Sequence, residues 1–235
     1  MVTISTQFNG PDRTGNGGYV AGLIAGELGS DGPVASRLRI PPPLGVPLTW
    51  ERNEAELLLM TAGGAVVGEA KTGELRRDPP ACPTHEQAEI GLAAYPGFHH
   101  HPFDRCFTCG TKREAGDGLR LFTGPYDDGR TAAPWTPHEA FGGEDGTINT
   151  PVMWAALDCP GGWAADFTVN SMVLGLMTAE VSRLPTPGEP CISVGRLYER
   201  DGRKFFTDTA LYTEDGELLG HAEQLWILID LAAFS

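Results

Sequence analysis

The stretch PVMWAALDCPGGW at residues 151–163 is an apolar, helix-like run that carries a single carboxylate, Asp158. Burying a carboxylate among apolar side chains costs free energy unless it is hydrogen-bonded or has a chemical task. Pro160 cannot donate to the carbonyl of Ala156 and predicts a kink just after the acid. Asp158 is therefore the first candidate for a catalytic residue, and a structural acid in a helix is the alternative.

Composition restricts the classes of protein that this chain can be. With 235 residues and 41% hydrophobic content, it can form one large core or two small fused ones. A formal net charge of −14 repels phosphate backbones, so no nucleic acid partner is expected. No apolar run approaches the length of a membrane span and the N-terminus lacks a secretory signal, so we expect a cytoplasmic protein without membrane association.

The predicted elements occur in the same order twice. In the first copy a strand at Val2–Phe8 precedes a helix that Asn16 caps and Gly29 ends. Four strands are predicted to follow this helix, at Val34–Ile40, Val46–Glu51, Ala55–Thr61 and Ala65–Thr72, with a hairpin turn at Gly63-Gly64.

The second copy begins with a predicted strand at Gly118–Thr123, and its helix begins near Thr150 and Pro151. Its four strands are predicted at Gly175–Leu184, Cys191–Arg200, Arg203–Thr213 and Glu217–Ile229, with hairpin turns at Asp201-Gly202 and Asp215-Gly216. A proline-rich linker separates the copies and holds a short helix with a Thr84–Gln87 capping box. The expected organisation is a repeat at residues 1–75, a linker at 76–117 and a second repeat at 118–235. The fold class is α+β, a long curved antiparallel sheet wrapped around a helix, made twice and fused.

Three short motifs resemble those of hotdog-fold thioesterases. The segment Asn16-Gly17-Gly18-Tyr19 resembles the His-Gly-Gly-aromatic entry to the central helix of phenylacetate-pathway thioesterases, with Asn in place of His. Trp154–Asp158 resembles the Leu-Ala-Asp of that family and the Ser-Leu-Asp of medium-chain acyl-CoA thioesterase II. Thr213–Gln224 resembles the hairpin by which the second family delivers a catalytic glutamine.

This resemblance implies a tandem hotdog that hydrolyses an acyl-CoA or a carrier-bound thioester. Gln224 would be the partner of Asp158, and the chain would form a homodimer. The threonine that orients water in the second family has no clear counterpart near Gly195–Tyr198.

Thioester hydrolysis needs a donor for the developing oxyanion and a base or nucleophile on the other side. The N–H groups of Gly17 and Gly18 at a helix N-terminus suit the first task, and Asp158 suits the second as either base or nucleophile. One competent site is expected per chain, because the first helix has Ala25 at the position that corresponds to Asp158. Candidate substrate-binding residues are Asn16, Gly17, Tyr19, Trp154 and Arg203.

Two groups of side chains are candidates for substrate contacts, and each has a plainer alternative. Four basic residues near the Asp201-Gly202 turn are a candidate clamp for coenzyme A phosphates or a solvated hairpin edge: Arg196, Arg200, Arg203 and Lys204. Four large apolar residues are candidates for an acyl tunnel or plain core: Phe141, Met153, Trp154 and Trp163. His138 and His221 are interpreted as structural.

Cys106 and Cys109 have the spacing of half a zinc knuckle. Cys82 with His85, or one of His99–His101, would supply the remaining ligands of a structural zinc. The alternative is a pair of unligated buried thiols, and hydrolysis itself requires no cofactor.

Two other functions remain open. A hotdog hydratase or dehydratase would resemble this chain in fold, but those enzymes carry a histidine five residues after the helix aspartate, where this chain has Trp163. A non-catalytic acyl-CoA or lipid-binding protein would keep the groove without turnover.

Overall fold

The computed structural model describes residues 1–52, 57–61, 63–127 and 129–231. Within these ranges, eleven strands form a single sheet in which every pair of neighbouring strands is antiparallel. The strands are β1 (Val2–Thr3), β2 (Val34–Leu38), β3 (Pro47–Arg52), β4 (Leu57–Thr61), β5 (Val66–Thr72), β6 (Gly124–Asp127), β7 (Arg130–Trp135), β8 (Met172–Val181), β9 (Cys191–Asp201), β10 (Lys204–Thr213) and β11 (Leu218–Leu228). The helices are α1 (Gly17–Leu28), α2 (His85–Ala93) and α3 (Thr150–Ala164).

The strand order shows the duplication directly. The sheet reads β1-β3-β4-β5-β2-β8-β11-β10-β9-β7-β6. The first half has the order first, third, fourth, fifth, second when read from its outer edge, and the second half repeats that order after one additional edge strand, β6. The halves join where β2 pairs with β8, for example through Ser36 and Met177. The predicted tandem hotdog class, with long antiparallel sheets each carrying a helix, is confirmed. The residue boundaries of the two repeats stay a prediction.

Helices α1 and α3 lie against each other on one face of the sheet and form the centre of the core. Asn16 caps α1 by accepting from the Tyr19 N–H at 2.9 Å, and Gly29 ends it with a φ of 69°, as predicted. Asn149, one residue earlier than expected, caps α3 by accepting from Val152 N–H at 3.0 Å. The helix continues through Pro160 to Ala164.

A stripe of three glycines brings the two helices together. Gly18, Gly22 and Gly26 recur every four residues on one face of α1, and α3 runs past them in the opposite direction. A Cβ on Gly22 would lie 2.6 Å from Trp154 Cβ, whereas one on Gly26 would lie 3.8 Å from Thr150 Cβ. The helices therefore approach most closely near the N-terminus of α1.

Two strand predictions at the start of the copies are wrong. The Val2–Phe8 segment is a two-residue strand followed by a 3-10 helix at Thr6–Phe8. Gly118–Thr123 forms no strand, because Leu119 and Leu121 instead donate their N–H groups to the carbonyls of Phe107 and Thr108. By its place in the sheet, β7 is the strand of the second half that corresponds to β1, and the unpredicted β6 precedes it.

The linker crosses the opposite face of the sheet. Helix α2 packs on β6 and β7, and its Thr84–Gln87 capping box is formed as predicted. Further along this face, the buried Asp208 pairs with Arg77 of the linker at 2.6 Å and with Arg196 of β9 at 2.6 Å. No described helix is both long enough and apolar enough to cross a membrane.

The four strands predicted after each helix are present with small shifts. The predicted strand at Ala55–Thr61 corresponds to β4, and residues 55 and 56 lie outside the described residues. The predicted hairpin turns hold glycines with positive φ, namely Gly64 at 78°, Gly202 at 56° and Gly216 at 87°.

Candidate active site

The carboxylate of Asp158 meets the N-terminus of α1. Gly18 N–H donates to Asp158 Oδ2 at 2.9 Å, and the acid is only 2% exposed. Its second oxygen, Oδ1, has no hydrogen-bond partner among the described residues. The sequence-based pairing of these two residues therefore matches their positions, while their catalytic roles remain untested.

Close packing of the helices makes this contact possible. A Cβ on Gly18 would collide with the Asp158 side chain and lie 2.6 Å from the Trp154 carbonyl. Only glycine lets the backbone of α1 come this near to α3. The first N–H groups of a helix lack partners inside it, so they are free to meet an acceptor from another element.

Burial raises the pKa of Asp158 to about 8. The hydrogen bond from Gly18 opposes that shift, the nearby Cys106 thiol adds to it, and the Asn16 side chain opposes it. A carboxyl of this kind exchanges its proton near neutral pH, which is a property of acid–base catalysts.

A cavity of about 250 Å³ opens beside this contact. Its wall includes Gly17, Asp158 and three cysteines, and the rest is mostly apolar, with Leu174 of β8 and Trp226 of β11 among its members. Arg39, whose side chain is half-exposed, also borders the cavity. The polar groups thus sit at one part of an apolar pocket, as is usual for small-molecule sites.

The Gln224 side chain hydrogen-bonds to the backbone of Asp158 and not to its carboxylate. The Gln224 side-chain amide donates to the carbonyls of Leu157 at 2.7 Å and Asp158 at 2.9 Å. Its Oε1 accepts from Thr207 Oγ1 at 2.7 Å and from Trp226 Nε1 at 3.2 Å. Gln224 therefore fixes the turn of α3 that presents the acid.

Thr207 is a residue that the sequence reasoning missed. It is fully buried on β10, between Gln224 and Trp226 Nε1, to which its hydroxyl is bonded at 3.1 Å. Thr209, two residues further on the same face, donates to the Leu157 carbonyl at 2.6 Å. The alternation Phe205, Thr207, Thr209 was a readable signal, since buried threonines facing a helix are expected to hydrogen-bond its carbonyls.

The candidate substrate-binding residues fall in different places. Asn16 and Gly17 border the cavity. The Tyr19 ring instead stacks on Phe8 at 3.9 Å, and Trp154 packs against Gly22. Neither of these two aromatic residues lines the cavity.

Arg203 donates at 2.7 Å to the carbonyl of Leu228, which pairs with the Met172 of the cavity wall. Of the other basic residues near the Asp201-Gly202 turn, Arg196 pairs with Asp208 and the Arg200 guanidinium lies 4.7 Å from the Phe205 ring centroid. The predicted four-residue phosphate clamp is therefore not assembled as one group.

The predicted tunnel residues are buried but do not line this cavity. Trp163 belongs to an aromatic cluster, with ring centroids 4.6 Å from Tyr95, 5.0 Å from His101 and 5.3 Å from Phe167. Phe141 packs edge-on against Phe107. Met153 is fully buried in α3, so these side chains belong to the core.

Three cysteines gather at the same end of α3. The sulfurs of Cys106, Cys109 and Cys159 all lie within 4.8 Å of one another, and this group could hold a metal ion. The proposed ligands Cys82 and His85 are wrong, because Cys82 packs with α2 on the opposite face of the sheet and His85 pairs with Glu89 and Glu214. Cys159, next to the acid in sequence, was missed as the third thiol.

Comparison with solved structures places the fold among hotdog proteins. A protein of Novosphingobium aromaticivorans, provisionally named a thioesterase, aligns with 97% of this chain and 94% of its own at 14% identity and a TM-score of 0.61. The tesB protein of Mycobacterium avium subspecies paratuberculosis aligns with 94% of this chain and 89% of its own at 12% identity and a TM-score of 0.59.

A shorter match, to a thioesterase superfamily protein, covers 47% of this chain and 54% of that protein at 23% identity and a TM-score of 0.43. No protein-family model matches the sequence, and no curated protein matches it significantly. At these identities the likeness describes the fold, which is that of tandem hotdog proteins.

Proposed function

We propose that this protein is an acyl thioesterase that hydrolyses an acyl-CoA or a carrier-bound thioester. The observation that carries the proposal is the 2.9 Å contact between Gly18 N–H and the buried Asp158 carboxylate at the wall of an apolar cavity. An oxyanion donor and a base are then within reach of one small group. Of the two long structural matches, one is provisionally named a thioesterase, which supports the same reaction, and the other is named a tesB protein.

In the proposed reaction the thioester carbonyl points to the N-terminus of α1. Gly17 donates its N–H group to the carbonyl oxygen as it gains negative charge, while Gly18 N–H holds Asp158 beside it. Asp158 takes a proton from water, whose oxygen bonds to the acyl carbon. The carbon–sulfur bond then breaks, and the proton passes from Asp158 to the leaving sulfur. Direct attack by the carboxylate, followed by hydrolysis of the anhydride, is the other route by which the same residue releases the acid.

Gln224 and Thr207 act as positioning residues in this scheme. They touch the backbone carbonyls and each other rather than the cavity-facing carboxylate. Holding the α3 turn rigid keeps Asp158 in reach of Gly18, and misplacing a catalytic group by about 1 Å costs roughly 100-fold in rate. No cofactor takes part in the hydrolysis.

The volume of the cavity suggests which part of the substrate it encloses. Its volume of about 250 Å³ lies below the roughly 300–1,000 Å³ of sites that enclose drug-sized ligands. We propose that it receives the acyl group alone, while the remainder of the coenzyme or carrier stays outside. Arg39 at the border and Arg203 near the β8 end are suited to an anionic group there. Association into a homodimer stays a prediction from the resemblance.

Asp158→Asn tests the assignment, with free-thiol release from a series of acyl-CoA chain lengths as the assay. The amide keeps the size of the side chain but cannot accept a proton, so kcat should fall by about 100- to 10,000-fold. Asp166→Asn is the matched control, because Asp166 is exposed just beyond α3 and Asn tolerates its φ of 60°. Retention of most activity by the Asp158 variant, with a folded wild-type-like thermal transition, would refute the proposal.

The same assay separates the other functions. Wild-type protein that binds acyl-CoA tightly but releases no thiol over hours would be a binding protein. Hydration of an enoyl-CoA without thiol release would indicate a hydratase, in which case Trp163 stands where a catalytic histidine is required.

A further inference from the structure

The three-cysteine group has the dimensions of a metal site. Cys106 Sγ and Cys159 Sγ are 3.7 Å apart, and Cys109 Sγ completes a triangle whose sides are all at most 4.8 Å. Zinc bonds thiolates at about 2.3 Å in a tetrahedron, which sets two sulfurs about 3.8 Å apart. The Cys106–Cys159 spacing already fits, and the third sulfur needs only a small adjustment.

The segment that holds two of these thiols is a tight turn. Gly110 N–H donates to the Cys106 carbonyl at 2.9 Å, and a Cβ on Gly110 would lie 2.5 Å from that oxygen. The Cys109 carbonyl is fixed by the Tyr95 hydroxyl at 2.8 Å and lies 3.1 Å from the His101 ring. These contacts therefore fix the backbone that carries both sulfurs.

An amide donor lies against two of the three sulfurs. The Asn16 amide points its Nδ2 at Cys106 Sγ, 3.6 Å away, and at Cys159 Sγ, 4.0 Å away. The described hydrogen bonds to Cys106 and Cys159 Sγ involve Asn16 and the thiols themselves and no arginine or lysine, so a bound cation would supply the positive charge.

One side of the triangle faces the cavity. Cys106, Cys109 and Cys159 all border it, together with Asp158. Structural zinc sites close all four positions with protein ligands, whereas sites that bind exchangeable ligands keep one open. The other sides are covered by the Cys106–Gly110 turn, by α3 and by Asn16 at the start of α1.

We propose that Cys106, Cys109 and Cys159 bind one zinc ion whose fourth position faces the cavity. Binding replaces the remaining thiol protons, which leave to solvent, and three thiolates on Zn²⁺ carry a net charge of −1. The ion would tie the linker turn to α3 and so form part of the cavity wall. This site does not depend on thioester hydrolysis and goes beyond it.

The first test uses wild-type protein expressed in zinc-supplemented medium. Elemental analysis should give one zinc per chain. After the zinc has been removed with a chelator, titration with Co²⁺ should produce an intense thiolate-to-cobalt charge-transfer band that saturates at one equivalent. Protein that carries no zinc and gives no such band would overturn the proposal. So would anaerobically purified protein that has lost two hydrogens by intact mass and binds no cobalt, because the thiols would then form a disulfide.

Variants identify the ligands. Cys159→Ser, Cys106→Ser and Cys109→Ser should each weaken Co²⁺ affinity by at least about 100-fold, the upper end of the loss from removing an outer-shell partner. Cys191→Ser is the matched control, because Cys191 is also buried but lies outside the triangle, and Cys82→Ser is a second control. Full cobalt affinity in the Cys159 variant would overturn the assignment, and the wild-type titration keeps it testable if that variant does not fold.

A separate spectroscopic measurement tests whether the fourth coordination position is open to the cavity. Adding 2-mercaptoethanol to the cobalt protein should shift the visible bands, because its thiolate takes the fourth position from the cavity side. An unchanged spectrum at saturating thiol would show a closed site and refute that part of the proposal.

Discussion

Replacing Gly22 with alanine should push the two central helices apart. The new Cβ would lie 2.6 Å from Trp154 Cβ and 2.8 Å from Pro151 Cα, whereas carbon atoms pack at about 3.5–4.0 Å. The second of these atoms is backbone, so the contact cannot be relieved by a side-chain rotation. Overpacking of this kind costs about 1–3 kcal/mol.

Gly26→Ala is the matched control on the same face of the same helix. Its Cβ would lie 3.8 Å from Thr150 Cβ, an ordinary contact, and Gly26 is exposed. Both variants gain about 1 kcal/mol of helix propensity, so this gain cancels in their difference. Gly26→Ala should be stabilised by up to about 1 kcal/mol, and Gly22→Ala should be less stable than it by about 1–3 kcal/mol.

Urea unfolding of both variants measures this difference, and thiol release measures its effect on the site. Gly22 lies one helical turn from Gly18, so a separation of about 1 Å should also lower kcat/KM of Gly22→Ala by up to roughly 100-fold. Equal unfolding free energies for the two alanine variants would refute the reasoning, because they would show that α1 and α3 are not in close contact at Gly22.

Three further predictions concern other parts of the chain. Gln224→Leu should cost about 1–3 kcal/mol of unfolding free energy in urea, because it leaves buried polar partners unpaired, and should lower kcat more than it raises KM. Burial lowers the pKa of His221, so below about pH 6.5 the unfolded state takes up a proton that the folded state does not, and stability falls as pH decreases. His221→Gln should therefore lose less stability than wild type between about pH 7 and 5.5. Arg39→Ala should raise KM for acyl-CoA about five-fold at low salt with kcat unchanged, from about 1 kcal/mol of exposed ion-pair energy.

Each of these three predictions can be contradicted by a specific outcome. A Gln224 variant with wild-type kcat would remove that side chain from the positioning scheme. Parallel stability–pH curves for wild type and the His221 variant would contradict its neutral burial. Since Arg39 also pairs with Glu69, Glu69→Ala is the control that should leave KM unchanged or lower. A ratio of the KM of Arg39→Ala to that of wild type that does not shrink as salt is added would exclude charge as the cause.

Local sequence was sufficient for much of the fold. Asn16 and Gly29 bound α1, Thr84 and Gln87 cap α2, and glycines with positive φ close the predicted hairpins, because each of these signals acts over a few neighbouring residues. The strand–helix–four-strand order, predicted twice, and the resemblance of both helix motifs to those of hotdog proteins together indicated the tandem hotdog. The β6–β7 hairpin escaped because Pro125 and Pro134 lie within those strands and argue against them in sequence.

The candidate site, like the fold, was predictable from the sequence only in part. An acid in an apolar helix and a glycine pair at another helix start were visible in the sequence, and so were Cys106 and Cys109. The contact of Gln224 with backbone carbonyls, the place of Thr207 and the approach of Cys159 to the Cys106–Cys109 turn became apparent only in three dimensions. These contacts join residues 17 to 67 positions apart, and they depend on how deeply α1, α3 and β10 pack against one another. Sequence periodicity states which face of an element is buried, but side-chain volumes and glycine gaps at the interface decide which atoms meet across it.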